Sequence, residues 1–566
     1  MLFHPGKEKF LELDEVSRQV MIKTIAFFEG KGKNNIKDEY HEQEWYGDFI
    51  TFLKENRVFS TLLTPEEHGN TDNQKRWDTH RICLMNEILA FYGLPYWYAW
   101  QVTILGLGPI WMSPNKTARK KAANLLDQGE IFAFGLSEKE HGADLYASEM
   151  SVKPDGPQKY IANGRKYYIG NGNKAAMVST FGMNENPKEY IWFAVDSQHS
   201  NYECMKNIVP WQGHVSEYEL KDYPLEETDI LSKGVDAWDA ALNTVNVGKF
   251  NLGWASIGIC THAFYEAITH AAHRNLYGRY VTDFPHVQQL FVDGYTRLLG
   301  MRFFASRARD YMRCANKEDR RYLLYNPLVK MKVTTQGEEV IRLFWDVIAA
   351  KGFEKDMYFE MAAREILALP KLEGTVHVNM VLVVKFMKNY LFMPKEYPEI
   401  PRRMDASNDD FLFEQGSTHG LGKIQFQDYA QVYSRFTTPN VTLFKGQIDL
   451  LKKFLMQTSP DEKQLKDIDF LLILGELFSL VVYGQLILEE ALLDELDSQV
   501  VEQIFDFMVR DFSKFALQLF SKPSSTPAQM DVCREMIQKP FVDMDRQQYV
   551  WKNFVLASAD AYEMNP

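Results

Sequence analysis

The sequence predicts a mainly α-helical protein with a central β domain and an additional helical region toward its C-terminal end. Three observations predict it. Apolar residues recur at steps of three and four through the first part of the chain. From about 131 to 245 the texture changes to short aromatic and β-branched runs separated by turn residues. Helical spacing then returns and continues almost to the end. At 566 residues the chain is too long for one core, so several domains are expected.

Residues 1–130 read as a helical domain, with Val16, Val20, Ile25 and Phe28 at helical spacing and a second apolar stretch from Leu84 to Leu107. The turn residues Thr64-Pro65-Glu66-Glu67-His68-Gly69-Asn70 punctuate it. Residues 131–245 read as the β domain. Tyr160-Ile161-Ala162 leads into Asn163-Gly164, a strong hairpin signal, and Tyr190 to Val195 is a further strand. In 246–395 the stripe Ile257, Cys260, Phe264, Ala267 and Ala271 marks a helix, with similar patterns at 286–313, 327–350 and 374–393. Residues 396–445 are rich in Pro, Gly, Asp, Asn and Ser and read as an irregular connection; 446–566 is helical again. Asp410-Phe411-Leu412-Phe413-Glu414-Gln415 has no chemical reading.

The bulk numbers narrow the function. A net charge of -13 argues against nucleic-acid binding, and an anionic substrate would need a locally basic pocket. Cys83, Cys204, Cys260, Cys314 and Cys533 are scattered and form no CxxC pair, which suggests neither a disulfide framework nor a zinc site and fits the cytoplasm. The start Met1-Leu-Phe-His-Pro-Gly-Lys has no apolar core of signal-peptide length. The most apolar run, Phe470 to Leu488, is interrupted by Glu476 and Gln485, so a buried helix is expected rather than a membrane span.

Five segments carry chemistry. Phe134 to Asp144, with Ser137-Glu138 and Gly142-Ala143-Asp144, is a small-residue turn whose backbone N–H groups suit a flat or anionic ligand. Asn163 to Gly172 places the aromatic Tyr168 beside Ile169 and Gly170. Arg274-Asn-Leu-Tyr277-Gly278 ends a helix with a guanidinium, which binds phosphate oxygens in a fork. Asp346-Val-Ile-Ala-Ala350-Lys-Gly352-Phe353 precedes Arg364-Glu365. Finally Glu373-Gly374-Thr375-Val376-His377, at the end of a long helical stretch, gives a carboxylate whose neighbouring backbone can approach a ligand closely.

In this order and spacing, the five segments resemble the acyl-CoA dehydrogenase family over about residues 60–395, in the long form with a C-terminal helical extension. The resemblance implies an α-helical N-terminal domain, a β-barrel-like middle domain and a C-terminal four-helix bundle, plus the extra helical domain. It implies FAD as cofactor. Phe134, Leu136, Ser137, Gly142 and Ala143 stand in the flavin-contacting signature, and Tyr168, Ile169 and Gly170 in the strand beside the flavin ring. Arg274 and Tyr277 match the motif whose arginine reaches the flavin diphosphate across a subunit interface, and Asp346, Ala350, Thr375 and His377 match further cofactor positions. Ala143, Lys249 and Gly374 match substrate-binding positions.

Glu373 matches the base that removes the α-proton of the acyl thioester. Some branches carry that base near the arginine motif, but Asn275 and Leu276 bear no carboxylate here, which favours Glu373. The sequence departs from the pattern at Lys139, Ala143, Gly170, Pro285 and Asp346. The expected activity is α,β-dehydrogenation of a medium- to long-chain acyl-CoA to trans-2-enoyl-CoA, in fatty-acid β-oxidation, with an electron-transferring flavoprotein as acceptor. A homodimer or homotetramer is expected, with peripheral membrane contact through the extension. Two alternatives stand beside this: an acyl-CoA oxidase using oxygen, and a non-catalytic interaction protein on the same scaffold.

Overall fold

The computed structural model describes residues 1–69 and 74–566, and these fall into two compact units. Asn70, in the turn noted above, lies outside the described residues.

The first unit comprises Lys7–Asn251, with Met404–His419 and Met564–Pro566 returning to it. Its helices run from Glu15–Lys31 to Lys116–Asp127, followed by a β-sheet. The Asp14 carboxylate starts the first helix by accepting from the Ser17 N–H at 3.0 Å. That helix buries Val20, Ile25 and Phe28 but leaves Val16 at the surface. The apolar stretch around Leu84–Leu107 forms two helices, Thr79–Tyr92 and Leu94–Trp111, separated at Gly93. Both are buried almost all round, which explains why neither shows a polar face in sequence.

Eight strands form the sheet: β1 (Phe132–Gly135), β2 (Ser151–Pro154), β3 (Lys159–Gly170), β4 (Met177–Glu185), β5 (Lys188–Val195), β6 (Tyr202–Asn207), β7 (Val215–Glu226) and β8 (Ile230–Lys233). Their order is β6-β7-β3-β2-β4-β5-β8, with β1 parallel to β4. Asn163-Gly164 does not turn a hairpin, contrary to expectation. Strand β3 runs straight through it and bulges against β7 between Ala162 and Gly164. Gly164 has φ of +142°, and a β-carbon there would lie 2.9 Å from the Met150 Cα, so only glycine fits the bulge. The Asn163 side chain accepts from the Asp222 N–H at 2.8 Å, supplying a partner that the shifted register does not. The 410–413 segment is structural: Asp409 accepts from the Thr79 N–H at 2.7 Å, and Phe413 packs edge-on to Trp77.

The second unit comprises Leu252–Arg403 and Gly420–Glu563, with Met1–Gly6. The 40-residue helix Gly234–His273 contributes its later part, ahead of helices Pro285–Arg313 and Thr334–Ile348. Between Tyr322–Leu328 and Thr334–Ile348 the helix widens to a π turn over Val329–Val333. Helix Pro285–Arg313 is buried along nearly all of its length after Phe291 and therefore needs cover on more than one side. Helices Ile468–Leu493 and Ser498–Phe520 of the extension provide it. The first of these is long and apolar enough to cross a membrane, yet 78% of its most apolar window is buried against protein. It is a core helix, as the interrupting Glu476 and Gln485 indicated.

Ion pairs fix the extension in place. Arg297 binds Asp511 through two parallel bonds of 2.7 and 2.9 Å, and Gln336 bridges both partners. Arg510 pairs with Asp293, and Arg307 with Glu489 at 2.8 Å.

Candidate active site

The first unit brings two of the five segments together. The Tyr167 N–H donates to the Ser137 carbonyl at 3.0 Å, aligning the 134–144 segment with β3. Beneath this contact lies a buried ion pair. The Lys166 ammonium reaches the Glu138 carboxylate at 2.7 Å and the Leu136 carbonyl at 3.0 Å. Glu138 also accepts from the N–H groups of Glu149 and Met150, at 2.8 and 3.1 Å, and from the Ser148 hydroxyl at 2.7 Å. Both ends of the 137–150 loop are thereby tied to one carboxylate. Burial pushes the Lys166 ammonium down to about 8, with Glu138 opposing only in part. Burial alone would raise Glu138, but Lys166 and the surrounding donors outweigh it and hold the carboxyl below its ordinary range.

What this brace presents is open. Ala143 and Asp144 are exposed, and a β-carbon on Gly142 would meet no atom within 4 Å. The Asp144 carboxylate is committed to the Tyr146 N–H at 3.1 Å. Tyr168 is 59% exposed and holds φ of +65°, an unfavourable conformation for an aromatic residue that turns it away from the regular strand alternation. Phe134 stacks on Trp192, and Ile169 is in the core, so these two side chains serve packing. Gly170 meets helix Leu94–Trp111: a β-carbon there would lie 2.6 Å from both Tyr98 Cε1 and Val102 Cγ2. The bulk expected of residue 170 is supplied by Tyr98. Lys249 is buried in the part of helix Gly234–His273 that belongs to this unit.

The second unit carries the other three segments. Helix Gly234–His273 stops just before Arg274, and the chain turns into a two-stranded hairpin, β9 (Asn275–Leu276) and β10 (Arg279–Tyr280). Tyr277 stands at its tip, 97% exposed, and Arg279 lies over the Phe284 ring at 3.9 Å. The half-buried Arg274 guanidinium forms no hydrogen bond or ion pair with another described residue. Pro285 takes the first position of the next helix, where its missing N–H costs nothing.

Asp346 sits on the surface in an ion pair with Arg342 at 3.4 Å, and the exposure of both side chains makes the contact a weak one. Ala350 is exposed, and the preceding Ala349 has φ of +56°, so the chain keeps a glycine-like turn with alanine in it. Gly352 packs against Ile348 and Phe359.

Glu373 does not end a long helix. Helix Tyr358–Glu365 stops eight residues earlier, and Glu373 lies in a turn before helix Val376–Val384. Its side chain is half-buried. Glu373 and Gly374 are both left-handed, with φ of +51° and +85°. Such a pair is easy for glycine and costs about 1–2 kcal/mol at the glutamate. The Thr375 hydroxyl caps the following helix, accepting from the Val378 N–H at 3.4 Å, and His377 is exposed in its first turn. From the π turn, the fully buried Lys330 donates to the Pro370 carbonyl at 2.6 Å and the Gly374 carbonyl at 2.5 Å.

Sequence reasoning missed Lys166, Tyr98 and Lys330. Lys330 had a faint signal, because it and Lys332 alternate with the apolar Val329, Met331 and Val333. Lys166 and Tyr98 had none, since their roles depend on partners far away in the chain.

Comparison with known proteins agrees with this architecture. Residues 236–388 match the family model described as acyl-CoA dehydrogenase, C-terminal domain. The chain is 22% identical over 347 residues to a 3-(aryl)acrylate reductase of Clostridium sporogenes, covering 60% of this chain and 90% of that protein. It is 22% identical over 296 residues to an acyl-CoA dehydrogenase of Bacillus subtilis, covering 50% and 76%. Among solved structures, an acyl-CoA dehydrogenase complexed with FAD from Bacillus anthracis aligns over 98% of this chain and 97% of its own, with 14% identity and a TM-score of 0.72. The fold is shared even in the extension.

Proposed function

We propose that the chain is an FAD-dependent member of the acyl-CoA dehydrogenase family, converting a medium- to long-chain acyl-CoA to trans-2-enoyl-CoA with Glu373 as base; the family-model match over 236–388, the acyl-CoA dehydrogenase relatives and the shared fold support this. The observation that carries the reading is the brace in the first unit. It locks the 134–144 and 163–172 segments side by side while leaving Tyr168, Ala143 and the space at Gly142 open. These features fit FAD: an exposed aromatic face for a flat ring, and a small-residue loop for close backbone approach. The unengaged Arg274 guanidinium fits a diphosphate. When bound, FAD supplies the acceptor for the β-hydrogen, taken as hydride.

The remaining chemistry belongs to the chain. An α-C–H beside a thioester is a very weak acid, so a positioned carboxylate must take its proton. Glu373, in its ionised form, receives that proton on a side-chain oxygen. The resemblance assigns the Glu373 backbone N–H as a donor to the thioester oxygen, where negative charge develops. The resemblance places electron-transferring flavoprotein as acceptor, and one relative is named as a subunit of a caffeyl-CoA reductase-Etf complex. The hairpin bearing the almost fully exposed Tyr277 supports a homo-oligomer in which Arg274 serves the neighbouring copy.

A second direction has support. Two relatives are named as reductases, of 3-(aryl)acrylate and of caffeyl-CoA. By microscopic reversibility the same carboxyl returns a proton to the α-carbon of an enoyl thioester, so the residue assignment stands in either direction.

The FAD-loaded protein should bleach anaerobically on adding acyl-CoAs of increasing length. Glu373→Gln should stay yellow but bleach at least ~10²–10⁴-fold more slowly. Normal bleaching by that variant overturns the base assignment. Return of the yellow colour when an enoyl-CoA is added to the chemically reduced protein, with no bleaching by any acyl-CoA, selects the reductase direction, and hydrogen peroxide formed at the rate of substrate loss selects the oxidase. A colourless protein that takes up no FAD supports the interaction-protein alternative.

A further inference from the structure

We propose that Lys330 is a positioning residue for Glu373, setting the conformation of the turn that carries the base. The inference rests on the reading of Glu373 as that base. It concerns a residue that none of the five motifs contains.

Three observations support it. Lys330 is fully buried, and its ammonium ties the carbonyls of Pro370 and Gly374, one on each side of Glu373. The clamp therefore closes the five-residue segment that presents the base. Bonds from a charged donor to a carbonyl are stronger than those between neutral groups, so this closure resists thermal opening. Second, Glu373 holds a left-handed conformation that an L-residue adopts only when its surroundings over-determine it. Lys330 supplies part of that restraint, and Asn379 adds to it by donating to the Gly374 and Thr375 carbonyls, each at 3.0 Å.

Third, the lysine comes from a π turn, a local widening that is frequent at functional sites. The Lys330 and Met331 carbonyls accept from the Thr334 N–H, and hydroxyls add to those bonds. Thr334 donates to the Lys330 carbonyl at 2.6 Å, and Thr335 to the Met331 carbonyl at 2.9 Å. The widening is thus built and satisfied, and it aims Lys330 at the turn while Lys332 goes to Glu476 at 3.2 Å. Burying an ammonium costs several kcal/mol unless its bonds are made. Here the bonds to the Pro370 and Gly374 carbonyls meet part of that cost, and they lie on the segment bearing the base.

The test uses the full-length, FAD-loaded protein. Lys330→Met should slow anaerobic bleaching by acyl-CoA about 10²-fold, the penalty of misplacing a catalytic group by an ångström, while FAD content and acyl-CoA affinity stay near wild type. Lys330→Gln, which keeps N–H donors, should recover part of the rate. In a Glu373→Gln background, Lys330→Met should cost almost nothing further, because a residue acting through the base has nothing left to position. Amide hydrogen exchange at 371–376, measured without substrate, should rise in Lys330→Met and stay flat elsewhere.

Bleaching at the wild-type rate, a loss that multiplies with that of Glu373→Gln, or unchanged exchange at 371–376 each overturns the proposal. Should neither lysine variant fold, Lys330 is a folding residue and the proposal also falls. If Glu373→Gln itself bleaches normally, the base assignment fails, while the exchange measurement still reports on the clamp.

Discussion

The Lys166 ammonium and the Glu138 carboxylate lie 2.7 Å apart, both buried, at the root of the open 137–150 loop. Lys166 gives up its proton near pH 8, well below the ordinary lysine value of 10.5. Above that pH the buried carboxylate loses its counter-charge, so FAD retention should fall as pH rises through about 8. Global stability should not follow. Between pH 8 and 10.5 the unfolded chain binds this proton and the folded chain does not, so the lysine's own contribution to stability rises with pH. FAD fluorescence and thermal unfolding across pH 7–10 check both. Lys166→Met should leave Glu138 as an unpaired buried charge and destabilise by about 3–5 kcal/mol.

Gly170 is closed off by Tyr98 and Val102. Gly170→Thr should therefore destabilise the protein by about 1–3 kcal/mol through overpacking. Trimming the neighbour in a Tyr98→Ala/Gly170→Thr double variant should recover much of this. Denaturant unfolding of Gly170→Thr, Tyr98→Ala and the double variant measures it, and an additive double variant would show that the two residues do not meet.

Arg274 should bind the cofactor's diphosphate. Losing a charge-assisted bond worth about 1.5–3 kcal/mol weakens binding ~10–150-fold, so Arg274→Gln should raise the FAD dissociation constant by that factor. Fluorescence titration of apoprotein checks it. An unchanged constant would leave the guanidinium without a cofactor role.

Arg297 and Asp511 join the bundle to the extension within one buried, two-bond pair. Burial alone would raise the Asp511 carboxyl, but Arg297 outweighs it and holds it well below the usual carboxylate range. A carboxyl so depressed contributes stability that is present above its unfolded value of about 3.8 and is lost only in strong acid. Arg297→Met should cost about 3–5 kcal/mol at neutral pH by stranding Asp511. Asp511→Asn should remove the dependence of stability on this group between pH 4 and 2. Urea unfolding at several pH values separates the two.

Much of the helical architecture was legible because one-sided burial leaves a period in the sequence: Ile257, Cys260, Phe264, Ala267 and Ala271 mark one wall of the bundle whatever lies beyond it. The Glu373-Gly374 pair stood out only through the order and spacing of the four other segments, since a carboxylate beside glycine is common by itself. Asn163-Gly164 misled because the same dipeptide serves a tight turn and a bulge, and only the partner strand decides between them.

The sequence by itself determined the element types and the family pattern, and it singled out Glu373 as the candidate base. Tertiary structure alone decided which residues support them. Lys166 meets Glu138 across 28 residues, Gly170 meets Tyr98 across a strand and a helix, and Lys330 reaches Gly374 across 44. Hydrogen bonds and close packing act over a few ångströms of space, and the distance along the chain between such partners carries no period to read.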